Sequence, residues 1–443
     1  MKRLLFIFTF LSLFVVNGRT QGVETLTLED CLRIGIDNNL SLESKRKEIQ
    51  KSKYGVSENR AKLLPQISAA AGYNNNFDPP VSVTDGSSYG VPYNITQTLQ
   101  HSANVGLEMQ MPLFNQTLYT SMSIAKTMEE ISRLSYGKAR EDIILQISKM
   151  YYLGQVTAEQ IVLIKANITR LEELRNITQA FFDNGMSMEV DLKRVNINLE
   201  NLKVQYDNAQ AMMKQQLNML KYIMDYPAEK EIALTPVNTD SIMTVALTGL
   251  SENLYELQLT QSQVELAERQ KRMVSNGYIP SLSLTGNWRY AAYTDKGYHW
   301  FHSGPSNHWF RSYGLGLTLR IPIFDGLDKT YKIRKAMIDI ENRKLAWEDT
   351  RKNLQTQYLN AVNDLMNNQR NFKKQKDNYL LAEDVYAVTS DRYREGIASM
   401  TEVLQDEMQM SEAQNNYISA HYNYRVTNLM LLKLTGQIES LVK

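Results

Sequence analysis

The chain has 443 residues, with 49 Lys and Arg against 48 Asp and Glu, and a net charge of +1 that removes the electrostatic case for wholesale nucleic-acid binding. Hydrophobic residues are 43% and charged residues 22%, so the chain can bury a core, and its single cysteine excludes an internal disulfide and a Cys-rich metal cage. A mean hydropathy of −0.39 excludes a polytopic helical membrane protein and leaves a β-barrel open, because the hydropathy signal of barrel strands is weak.

Lys2 and Arg3 precede an apolar run from Leu4 to Val16, and Asn17 to Gly22 follow as small and polar residues. This pattern predicts a secretory signal peptide over 1–22, cleaved between Gly18 and Gly22; the apolar run is too short for a mature spanning helix. Cys31 follows Leu28-Glu29-Asp30, which is wrong for a lipidation site, and reads as a buried helix residue. After residue 22 no 18-residue apolar stretch occurs, so no membrane-spanning helix is expected in the mature chain.

The prolines leave three long stretches free, 113–226, 237–279 and 323–443. Proline breaks helices, and these stretches are rich in good helix formers, so long helices are expected over about 116–184 and 326–395. Asn115 and Asp325 are placed to cap their starts, and Gly185 and Gly396 to end them. At 1.5 Å per residue each would be roughly 100 Å long. Beyond each glycine the apolar spacing becomes heptad-like: Leu192, Val195, Leu199, Leu202, Tyr206, Ala209, Met213 and Leu220, then Val403, Asp406, Met410, Ala413, Tyr417, Ala420, Tyr424 and Leu431. That is the seam of a coiled coil.

The two ladders are copies of one another. Gly185 matches Gly396, Tyr206 matches Tyr417 and Ala209 matches Ala420 at one constant offset, and Met111-Pro112-Leu113-Phe114 matches Ile321-Pro322-Ile323-Phe324. Each half reads helix, strand, strand, long helix, turn, helix, which makes the chain an internal duplication. The halves are 23–224 and 242–435, joined by a linker at 225–241 and followed by a tail at 436–443. The short helices, about 28–63, 187–224, 242–278 and 398–435, add up in each half to the length of its long helix, so each long helix can run beside two short ones stacked end to end.

Strands are expected at about 66–76, 103–111, 281–293 and 312–321. Val105, Leu107, Met109 and Met111 alternate with Asn104, Gly106, Glu108 and Gln110; Leu282, Leu284, Trp288 and Tyr290 alternate with Ser283, Thr285, Asn287 and Arg289. In the last strand Tyr313, Leu315, Leu317, Leu319 and Ile321 alternate with Gly314, Gly316, Thr318 and Arg320. One apolar and one polar face over roughly ten residues fits an outer-membrane strand. Tyr73, Trp288, Tyr290, Tyr293 and Tyr313 stand toward the loop ends, as an interfacial girdle would. Four strands cannot close around water, so the chain must associate to remove its sheet edges; three copies give twelve strands.

Signal peptide, duplicated halves, proline-bracketed strand pairs, the MPLF and IPIF segments before long helices and the glycine-ended hairpins together resemble the TolC family of outer-membrane efflux proteins. The resemblance covers the mature chain. It implies an α+β membrane protein: a homotrimer with long coiled-coil helices forming a periplasmic tunnel, and a barrel to which each chain gives four strands. It also implies a passive exit duct in a tripartite efflux or type I secretion system, embedded in outer-membrane lipid and extending into the periplasm. Its partners would be a periplasmic adaptor protein and an inner-membrane pump of the RND, ABC or MFS type. The adaptor would dock at the hairpin tips, on Gly185, Met186, Ser187, Gly396, Ile397 and Ala398. In the family an acidic pair after the second tip rings the aperture. Glu402 matches its first position; Gln405 occupies the second, a departure, with Asp406 one residue on. Asp191 is the first-repeat equivalent of Glu402, and Arg194 is placed to clamp a carboxylate.

No phosphate loop, His-Glu-x-x-His or nucleophile elbow is present, so neither enzyme chemistry nor a cofactor is expected. His299, His302 and His308 share a stretch with Trp300 and Trp309 and read as an aromatic extracellular loop over 294–311, paired with a longer one over 77–100. Two other functions compete: a surface receptor or adhesin, which leaves the long helices unexplained, and a soluble periplasmic coiled-coil adaptor, which leaves the aromatic-edged strands unexplained.

Overall fold

A computed structural model describes residues 24–79, 81–85, 87, 90, 92–97, 99–236, 247–294 and 309–442. The expected signal peptide, the start of the second half at 242–246, and His299, Trp300, His302 and His308 lie outside the described residues.

In chain order the elements are β1 (Glu24–Leu26), α1 (Leu28–Asn38), α2 (Leu40–Ala61), β2 (Gln66–Asn75), β3 (Val81–Asp85), β4 (Tyr93–Gln97), β5 (His101–Phe114), α3 (Gln116–Asp183) and α4 (Glu189–Met224). Then come β6 (Ile232–Leu234), α5 (Tyr255–Ser275), β7 (Ser281–Thr294), β8 (Trp309–Arg320), α6 (Asp328–Arg394) and α7 (Met400–Leu434). The helices of 68 and 67 residues fall where the proline-free stretches predict them. Asn115 caps α3, its Oδ1 accepting from the Thr117 and Leu118 amides at 3.0 and 3.2 Å. Asp325 differs. Gly326 and Leu327 take positive φ of 66° and 68°, so α6 starts only at Asp328, and Asp325 reaches the Lys329 amide from outside the helix.

Three further expectations are corrected. The helix over 28–63 is two helices that meet at Asn39. Its side chain donates to the Ile223 carbonyl at 2.7 Å and accepts from the Leu42 amide at 3.1 Å, so it closes one helix and opens the next. The helix over 242–278 is 21 residues long and begins at Tyr255, because Gly249 turns with φ of 94° and the Ser251 amide bonds the Leu434 carbonyl instead of a helical partner. The stretch 77–100 holds a hairpin, β3 against β4, rather than a plain loop.

The chain forms two compact units, each drawn from both halves of the sequence. The first comprises residues up to Glu43, Ala139–Ser251 and Leu354–Lys443. Here β1 pairs in parallel with β6, and α7 packs with the later parts of α3 and α6 in two apolar clusters, the first of which also takes in α4. Leu171, Leu174, Val195, Leu199, Tyr386, Val403 and Met410 form one cluster, and Val156, Phe372, Tyr417, Ala420 and Tyr424 another. A fully buried leucine such as Leu199 stabilises by about 2 kcal/mol. The α4 ladder is buried at Val195, Leu199, Leu202, Ala209 and Leu220, with Gln216 filling the skipped step. On α7 the buried stripe runs Val403, Glu407, Met410, Gln414, Tyr417, His421 and Tyr424, so Glu407 holds the seam position expected of Asp406, and Asp406 is half-exposed. Gln414 and Asn167, both buried, exchange hydrogen bonds of 2.7 and 3.4 Å across this core. A buried polar pair of this kind fixes helix register. Cys31 is buried on α1.

The second unit comprises Ser44–Lys138 and Glu252–Asn353. Its sheet is antiparallel in the order β2-β5-β7-β8. Pro112 lies inside β5, where the ladder to β7 shifts register, which is where a strand tolerates a residue with no donor. The register pairs Ile67 with Met109, Leu107 with Trp288, and Trp288 with Tyr313, and so gathers every apolar series on one face. Tyr293 pairs with Ser102 and stands on the polar face, apart from the other four expected girdle aromatics. On that polar face Arg289 meets Glu108 at 3.5 Å. Every residue of β8 and nearly all of β2 are exposed.

Candidate functional site

The helix hairpin tips end by backbone chemistry. At the first, Gly185 has φ of 73°, its amide donates to the Phe182 carbonyl at 2.9 Å, and the Met186 amide donates to Phe181 at 2.8 Å. At the second, Gly396 has φ of 76°, with matching bonds from Gly396 to Tyr393 at 2.9 Å and from Ile397 to Arg392 at 2.8 Å. Both are Schellman turns, which satisfy the last helical carbonyls and require a residue that tolerates positive φ. The tips project apolar side chains into solvent: Met186 at 68% and Met188 at 67% exposure on the first, Ile397 at 63% on the second. Ser187 and Ala398 turn partly inward, and Ala398 packs on the core.

Of the residues just beyond the tips, the structure joins some and separates others. Arg194 lies 3.4 Å from Asp191 and donates to the Thr401 hydroxyl at 3.2 Å, which ties α4 to α7. Glu402 is engaged elsewhere: its carboxylate accepts from the Ser399 amide at 2.8 Å while the Ser399 hydroxyl accepts from the Glu402 amide at 3.3 Å, a complete capping box. Those bonds from Ser399 hold its pKa below the usual carboxylate value. The Ser-Met-Thr-Glu spacing at 399–402 carries that signal in the sequence. Met188, at the equivalent place in the first repeat, makes no side-chain cap. Gln405 is exposed and Asp406 half-exposed.

Heptad counting through Asp406 missed two features. Glu407 is 4% exposed, with Oε1 unpartnered, and burial pushes its pKa up. Further along α7, His421 is fully buried between Phe372 and Tyr417. It lies 3.4 Å from Glu159 and accepts a hydrogen bond from Arg425 at 2.9 Å. Among the described residues no three His, Cys, Asp or Glu side chains converge on a metal site. No described helix is long and apolar enough to cross a membrane.

The sheet is the second part of the site. Glycines stand across from polar side chains on its polar face: Gly72 opposite Asn104, Gly106 opposite Arg289, Gly314 opposite Asn287 and Gly316 opposite Thr285. The missing side chains leave room for the polar groups to lie over the strands; Asn287 Oδ1 sits 3.1 Å from where a Gly314 Cβ would be.

A sheet with one apolar and one polar face, in a chain whose two longest helices run 68 and 67 residues, has the build of outer-membrane strands with a helical extension. The family described as "Outer membrane efflux protein" matches residues 34–224 and 249–437. The chain belongs to that family. It is 20% identical over 399 residues to the outer membrane protein TolC of Vibrio cholerae, covering 86% of this chain and 84% of that protein. It is 22% identical over 442 residues to the probable efflux pump outer membrane protein TtgC of Pseudomonas putida, covering 95% and 85%. Its fold is similar to crystal structures of CusC, with a TM-score of 0.76 at 16% identity over 92% of this chain and 91% of that one. The protein is an efflux component of the outer membrane with a periplasmic extension.

Proposed function

We propose that three copies of the chain close their sheets into one twelve-stranded barrel continued by a helical tunnel, and that this assembly is a passive exit duct. The duct performs no chemistry. A periplasmic adaptor docks on the tips around Gly185, Met186, Ser187, Gly396, Ile397 and Ala398, and an inner-membrane pump of the RND, ABC or MFS type supplies the energy. The observation that carries this reading is the four-stranded sheet, whose edge strands β2 and β8 are exposed almost throughout and are unpaired on their outer sides among the described residues. An open edge and an uncovered apolar face are unstable in water, and association in a bilayer removes both. Apolar side chains exposed along α6, including Ile338, Leu345, Leu381 and Val388, also favour neighbours.

The gate belongs to the start of α4 and α7, where Asp191, Arg194, Glu402, Gln405 and Asp406 stand. Glu402 acts through its cap, which fixes the first turn of α7. Arg194 acts as a latch: its bond to Thr401 joins α4 to α7, and Asp191, one turn away on α4, steadies the guanidinium. Size analysis of the detergent-solubilised protein is expected to give three subunits; a stable monomer that conducts would overturn the reading. In planar bilayers Arg194→Ala is expected to raise conductance several-fold, and Asp406→Ala to lower cation preference. Unchanged conductance and selectivity in both, with assembly intact, would remove the gate from these residues.

A further inference from the structure

The apolar face of the sheet carries a single charged side chain among its described residues. Arg311 pairs with Tyr290 across the β7–β8 ladder and so shares a face with Trp288, Tyr313, Leu315, Leu317 and Leu319. Its guanidinium carbon lies 5.8 Å from the Tyr313 ring centre. No carboxylate of the described residues forms an ion pair with it, whereas Arg289, on the opposite face, has Glu108.

Its height on the sheet is informative. From Leu319, near the helix end of β8, to Arg311 is eight residues, or about 27 Å along a strand at 3.4 Å per residue. At the usual tilt of such strands that is about 20 Å of membrane thickness, nearly the full apolar band of an outer-membrane barrel. The aliphatic residues Leu315, Leu317 and Leu319 occupy the lower levels, and Trp288, Tyr290, Tyr313 and Trp309 surround the level of Arg311. The arginine therefore stands at the upper rim of the lipid-facing surface, within an aromatic belt, at the end of the strand away from the helices.

We propose that Arg311, stacked on Tyr313, binds the phosphate of an anionic lipid in the outer leaflet. The inference rests on the barrel reading above, which makes the apolar face the lipid face and the loop end the outward end. A guanidinium presents paired N–H donors that match a phosphate bidentately. Tyr313 holds the fork by cation–π contact, and the neighbouring aromatics anchor the lipid-water boundary. The side chain is long enough to lay its methylenes along the apolar wall and keep its charge at headgroup level. A free phosphate ion offers the same chemistry without acyl chains, and the test separates the two.

The intact assembly is purified in detergent and its lipid retention read by native mass spectrometry. The probes are hexa-acylated lipid A with two phosphates and the same lipid A enzymatically dephosphorylated. Wild type is expected to retain the phosphorylated lipid about tenfold more than the dephosphorylated one. Arg311→Gln is expected to abolish that preference, Arg311→Lys to keep part of it, and Arg320→Gln, on the polar face, to leave it unchanged. Equal retention of both lipids by wild type, or an undiminished preference in Arg311→Gln, overturns the proposal. So does displacement of the lipid by millimolar inorganic phosphate, which would mark a free-anion site. Should Arg311→Gln fail to assemble, the wild-type lipid pair and Arg311→Lys still decide. The same spectra count subunits: failed lipid arms on a three-subunit assembly sink this inference alone, and absence of that assembly sinks the barrel reading and this inference with it.

Discussion

Glu141 lies buried in the helical unit among charged neighbours that are themselves paired. Lys433 reaches Asp142 at 2.5 Å and Arg140 reaches Glu439 at 2.6 Å. Burial is the main cause that pushes its pKa to about 7; Glu439 and Asp142 add to the rise, and Lys433 and Arg140 oppose it. An acid whose folded pKa exceeds its unfolded value favours folding in its neutral form. Its contribution is therefore full below pH 4.5 and is lost as pH climbs to about 7. Glu141→Gln should remove a loss on the order of 2–3 kcal/mol. Apparent thermal midpoints in detergent between pH 5 and 8 check this: the wild-type value falls across the window and that of the variant stays flatter. Glu407 has the same sign, and burial is the cause. Neither carboxylate could be sorted from its neighbours by sequence. Asp406 and Glu407 are both acidic, and a step of three or four from Val403 is equally heptad-like, so only the packing of α3, α4 and α6 selects Glu407 for the seam.

Among elements, the long helices were legible because proline and glycine punctuate them, and the strands because their alternation survives pairing in register. The local half of the break at Asn39, its cap on the Leu42 amide, is of a kind sequence can show, whereas the bond from its side chain to the distant Ile223 carbonyl is not. The late start of α5 depends likewise on a remote contact between Ser251 and Leu434. The face of Tyr293 was available by counting odd and even positions from Ser281. The sheet also separates two glycines that look alike in sequence. A Cβ on Gly106 would meet the Trp288 carbonyl oxygen at 2.6 Å and the Arg289 Cα at 3.0 Å, both backbone. One on Gly286 would meet the ends of Leu315 and Met109 at 3.1 and 3.2 Å, and these can rotate away. Gly106→Ala should cost about 1–3 kcal/mol through strain, and Gly286→Ala less. Heat-dependent mobility of the assembly on gels reads the difference; equal midpoints for both variants would contradict the packing described.

For the whole molecule, the pairing of β5 with β7 has a kinetic consequence. It joins His101–Phe114 to Ser281–Thr294, so the central ladder of the sheet closes only after most of the chain has been made. Until then β5 has β2 alone as a partner, and its second edge, with Val105, Leu107 and Met109, is open. Non-local pairing of this kind closes slowly and leaves edges exposed to aggregation while it waits. The first half is then expected to be held by chaperones that bind extended apolar segments, and insertion into the bilayer to follow synthesis of the second half. A chain ended after Gly249 should be captured by such a chaperone and be degraded without reaching the outer membrane; the full chain pulsed with label should show the same capture as a transient. Direct membrane insertion of the shortened chain would place the committing step before the two halves meet.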